Sequence, residues 1–118
     1  MGVYEGYPLR SPIKNLTKIP GWFETDGSNA PPSQSSNLFA VGAPSTGVYT
    51  VTLTQKPTRI HAVKANLQVA GGGDEICKVI GFSASAGTIS IETRATADGA
   101  AADIDGPIVH FEVDAEYN

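Results

Sequence analysis

Few side chains in this 118-residue chain are of a type that does chemistry: two histidines, His61 and His110, and one cysteine, Cys77. A metal centre needs three or four ligands in fixed geometry. Glu112 stands two residues from His110 and so shares its face on an extended strand, but the pattern supplies no third ligand. Asp103-Ile104-Asp105-Gly106 opens like a calcium loop, yet the closing bidentate Glu and the flanking helices are missing. Asp and Gly stabilise turns, and that role is sufficient for them. Gly71-Gly72-Gly73 leads into Asp74 rather than Lys-Ser/Thr and a helix, so it is no phosphate cradle. Cys77 lies in an apolar run, where a thiol acts as a small hydrophobe. No serine sits in a nucleophile elbow. The expectation is a protein that is not an enzyme and takes no metal or cofactor. What remains are residue types that anchor partners: Trp22, Tyr4 and Tyr7, with Leu9 and Ile13 as apolar companions. Trp22-Phe23 also reads as a plug in the core.

Composition narrows the classes further. The length fits one domain with one modest core. A net charge of −4 and eight scattered basic residues argue against direct nucleic-acid binding, which needs clustered Lys and Arg. No run approaches the roughly 20 apolar residues of a membrane helix, and the start lacks a basic-then-apolar leader, so no membrane partner is expected. The lone cysteine cannot form an internal disulfide, which fits a reducing compartment. Arg10, Lys14 and Lys18 make the first part basic, while Asp98, Asp103, Asp105, Glu112, Asp114 and Glu116 make the last part acidic. Two solvated surfaces, or head-to-tail matching between copies or with a partner, follow from that asymmetry.

The elements that must hold these residues are strands. Residues 1–17 read as an irregular N-terminal arm punctuated by Pro8 and Pro12, with too much apolar surface for a free tail. Residues 18–118 read as an all-β domain: a compact sandwich or barrel, jelly-roll-like. Short strands are expected near 18–25 and 37–41. Tyr49, Val51 and Leu53 alternate with threonines, a half-buried strand. In the next run His61, Val63, Ala65, Leu67 and Val69 share the apolar side. Ile76 to Phe82 is apolar on both faces, which predicts a central strand. Thr88 to Arg94 alternates, as does Pro107 to Ala115, with Val109, Phe111, Val113 and Ala115 inward and His110, Glu112 and Asp114 outward.

Thr46-Gly47-Val48-Tyr49-Thr50-Val51-Thr52-Leu53, then Ala65-Asn66-Leu67-Gln68-Val69-Ala70, then Ala86-Gly87-Thr88-Ile89-Ser90-Ile91-Glu92-Thr93, Ala102-Asp103-Ile104 and Val109-His110-Phe111 form an ordered set. Over roughly Gly21 to Val113 this order resembles small structural proteins of tailed bacteriophages, of the capsid cement or decoration type. The resemblance implies a virion protein on the capsid surface, made in the host cytoplasm, that binds the major capsid protein without catalysis. It also implies a homo-oligomer, with a trimer favoured over a dimer. Two alternatives stand beside it: a tail- or fibre-associated adhesion module, and a carbohydrate-binding β-sandwich. The second would display aromatics on one sheet face, whereas Tyr49, Phe82 and Phe111 are expected largely inward.

Overall fold

The computed structural model describes residues 16–69 and 73–117, and among them forms seven strands and no helix. They are β1 (Leu16–Asp26), β2 (Phe39–Val41), β3 (Val48–Leu53), β4 (Arg59–Gln68), β5 (Ile76–Ser83), β6 (Thr88–Arg94) and β7 (Asp105–Glu116). Two antiparallel sheets result, one ordered β1-β7-β4 and the other β2-β3-β6-β5. They stay separate, so the fold is a sandwich and not a closed barrel. The connections β1–β2, β3–β4, β4–β5 and β6–β7 each cross between the sheets. A full jelly roll has eight strands.

Alternation explains most of the packing. Tyr49, Val51 and Leu53 of β3, Ile89 and Ile91 of β6, and Val109, Phe111, Val113 and Ala115 of β7 are all buried. Each set has period two, so each strand gives one face to the space between the sheets. Phe23 packs its ring 4.9 Å from Tyr49, and Phe39 meets Phe111 edge-on at 4.9 Å. That approach depends on Gly21. A Cβ there would lie 2.6 Å from the Phe111 ring and 2.7 Å from the Phe39 ring.

The hairpin into β3 turns on Thr46 and Gly47, with Ser45 and Val48 exchanging both backbone hydrogen bonds. Both turn residues have positive φ, at 48° and 78°, the geometry of a tight hairpin whose twist matches its strands. Thr46 is β-branched, so it is held there against its own preference. The clamp is visible: the Gly47 N–H donates to Asp103 Oδ1 at 2.6 Å, and the Gly47 carbonyl accepts from the Thr93 N–H and hydroxyl. Asp103 thus serves as a turn lock.

Two expectations are corrected, the first because of a bulge and the second because of the strand order. In β4 the register shifts between Ile60 and Ala62, so Ile60 turns inward and His61 outward. In β5 the register shifts between Val79 and Gly81, and the strand lies at the edge of its sheet rather than in the middle. Its apolar character on both faces therefore leaves Ile80 and Phe82 exposed, at 47% and 49%. Phe82 stands opposite buried Ile89, on the core side of its sheet, but the sandwich ends before covering it. The first strand begins at Leu16, paired to Glu116, two residues before the boundary expected for the arm.

Candidate interaction surface

Tyr4, Tyr7, Leu9 and Ile13 lie outside the described residues. Trp22 lies within them, and its surroundings separate it from Phe23. Adjacent residues on a strand point to opposite sides. Phe23 is fully buried, so Trp22 stands on the outer face of β1, half-buried, with His110 opposite it and Asn66 beyond on β4. The core plug is Phe23 alone. A shallow hollow of about 320 Å³ opens beside the indole, lined by Pro20, Gly21, Ser35, His110 and Phe111. Segment 33–35 braces this strand: Ser35 donates its N–H to the Trp22 carbonyl and accepts the Trp22 N–H on its hydroxyl, both at 3.0 Å.

Several charged groups of this outer face pair within the chain. Lys18 lies 3.1 Å from Asp114 and 3.7 Å from Glu112, so this cation of the first strand answers the acidic last strand of the same molecule. The Asp114 carboxylate bonded to Lys18 holds the ammonium above its usual pKa. His61 sits 3.0 Å from Glu116, and His110 shares a 2.7 Å hydrogen bond with Gln68. His110 and Glu116 are six residues apart on β7, about 20 Å of extended chain, so the two histidines serve opposite ends of the sheet. No group of three or more His, Cys, Asp or Glu converges among the described residues.

A second surface lies at the end of the sandwich where the described chain begins. Thr17, Lys18 and Ile19 of β1 meet Leu38, Thr54 and Tyr117 around a groove of about 360 Å³. The Tyr117 hydroxyl donates to the Gln55 carbonyl at 2.9 Å and fixes one wall. Leu38 is 56% exposed there, although Phe39 beside it is in the core. The third surface is the rim along β5, where Ile80 and Phe82 emerge beside half-buried Cys77 and Val79. Burial pushes the Cys77 thiol up to about 11, so little nucleophilic thiolate exists near neutrality.

One polar feature escaped the reading of residue types. The Tyr49 hydroxyl is buried without a hydrogen-bond partner among the described residues. Burial chiefly, and then the nearby Asp103 carboxylate, push it up to about 12, while the Asp26 backbone, near but not in hydrogen-bond geometry, opposes the shift. Alternation signals that Tyr49 faces inward; nothing in its spacing signals that its hydroxyl ends unpartnered. Among the described residues, the three surfaces are patches of aromatic and aliphatic side chains. No family model matches this chain, and no curated protein or solved structure matches it either.

Proposed function

We propose that this is a virion structural protein that binds an assembled phage capsid and stabilises it by contact. The observation that carries the reading is the placement of large apolar side chains outside a well-sealed core: Trp22 on the outer face of β1, and Leu38, Ile80 and Phe82 exposed at the ends and rim. Side chains of this kind anchor protein interfaces. A ligand that binds only the assembled shell raises the cost of opening it, and no catalytic step is required. The ordered strand motifs that resemble capsid decoration proteins support the choice of partner. Trp22 and the groove at Leu38 both adjoin β1, and Tyr4, Tyr7, Leu9 and Ile13, which precede it in sequence, are the further candidates for partner contact.

Co-sedimentation with empty phage heads and with isolated tails tests this. Binding to heads, weakened by Trp22→Ala and by removal of residues 1–15 while the melting transition persists, is expected. Binding to tails alone would transfer the protein to the adhesion class. A second reading has one observation in its favour: Trp22 flanked by His110 and Asn66 is an aromatic platform with hydrogen-bonding neighbours, as a saccharide site requires. Glycan binding lost in Trp22→Ala, with no binding to heads, would support it.

A further inference from the structure

Four strand edges bound the two sheets: β1 and β4 in one, β2 and β5 in the other. An open edge offers unpaired backbone groups to any other strand, so proteins shorten, cover or charge it. Three of these edges are treated in that way. β2 has only three residues. β1 is bonded along its outer edge by Ser33 and Ser35. β4 carries exposed Arg59, His61 and Lys64 and a bulge after Ile60. β5 is different. It runs for eight residues with one charge, Lys78, and holds two of the three large apolar side chains that stand exposed among the described residues. Its bulge at Ile80 bends the strand without removing that apolar surface.

The two ends of β5 differ in sign. Exposed Asp74 precedes it, while at the far end the β5–β6 turn rests on Lys56, whose Cγ would lie 3.0 Å from a Cβ at Gly87. A strip that is apolar in the middle, acidic at one end and basic at the other is complementary to itself when reversed. Parallel alignment would set Asp74 against Asp74. We propose that two copies of this chain pair along β5, antiparallel about a two-fold axis, burying Ile80 and Phe82 and bringing Asp74 of each copy to Lys56 of the other. A two-fold interface uses the same strip on both subunits, as this arrangement does. A three-fold ring would need β5 to meet a different strip of its neighbour, and the other edges are shortened, covered or charged. The inference does not rest on the capsid reading and is tested without particles.

Light scattering on the full chain at about 0.1 mM measures it directly, since micromolar affinity saturates there. The expected mass is twice that of the 12.3 kDa chain, falling to a single chain in Ile80→Glu and Phe82→Glu with the melting transition retained. Lys56→Glu and Asp74→Lys should each weaken pairing by tenfold or more, and the two together should restore it. That swap decides the matter even where a rim variant fails to fold. A monomer or a trimer at this concentration, or a charge swap that does not restore pairing, would overturn the proposal.

Discussion

The two flanks of the sandwich are built to different standards. On the flank where β1, β2 and β3 meet β7, Phe23, Phe39, Tyr49, Phe111 and Val109 interlock with almost no exposure, and Gly21 is bare so that two rings can close over it. On the flank of β4 and β5, Val63, Ala65, Leu67, Cys77 and Val79 are only partly covered, and Ile80 and Phe82 face outward. Dense packing makes a core intolerant of lost volume, whereas a half-covered side chain loses less because water already reaches it. One flank therefore holds the fold, and the other retains apolar surface that a partner can cover. The contrast leaves uncovered apolar side chains along β5, while the aromatic core closes between β1, β2, β3 and β7.

Truncations on the two flanks should separate the roles most sharply. Phe23→Ala is expected to cost about 3–5 kcal/mol, enough to unfold a marginal domain, while Val79→Ala should cost about 1 kcal/mol. Urea unfolding of both variants measures the difference, and equal losses would erase the distinction. Gly21→Ala should come next, at about 1–3 kcal/mol, because the added carbon must displace the Phe111 or Phe39 ring.

Alkaline pH probes the sealed flank without changing its volume. Tyr49 has a folded pKa raised from 10.0 to about 12, so its contribution is fully present below pH 10. Above that, the unfolded chain loses the proton more readily, and stability falls as pH rises toward 12. Tyr49→Phe should flatten this decline and leave stability at pH 7 unchanged or slightly higher, since it removes a hydroxyl without a hydrogen-bond partner. An unchanged slope in melting temperature between pH 9 and about 11.5 would contradict the assignment. On the open flank, Cys77 should alkylate slowly at pH 7 and faster as pH approaches its raised value of about 11. The smallest effect belongs to Lys18→Ala, whose exposed pairs with Asp114 and Glu112 are screened by water, and whose melting temperature should match the parent's.

The same contrast governs what the sequence made legible. β3, β6 and β7 keep strict alternation, so their ranges and inward faces could be read from residue type. These are the strands of the sealed flank and its centre. β4 and β5 each contain a bulge, and one extra residue reverses the parity of everything beyond it. His61 therefore faces outward, although unbroken alternation with Val63 and Ala65 places it inward. The two-sided apolar pattern of β5 has two physical origins, burial on both faces or an exposed sticky edge, and residue types alone do not separate them. Trp22 and Phe23 are alike in composition, and only the pairing of β1 with β7 decides which one points inward. The groove at Leu38 joins β1, the residue before β2, Thr54 and Gln55 after β3, and Tyr117, segments too distant in the chain for any local pattern to reveal.

Hydrogen exchange on the full chain, compared between dilute and concentrated solution, tests most directly whether the open flank is a surface awaiting a partner. Backbone amides exchange more slowly where a partner strand or side chain excludes water. The account predicts added protection at high concentration across Ile76–Ser83, with Leu16–Asp26 unchanged. Equal exchange across β5 at both concentrations, or new protection confined to β1, would contradict it.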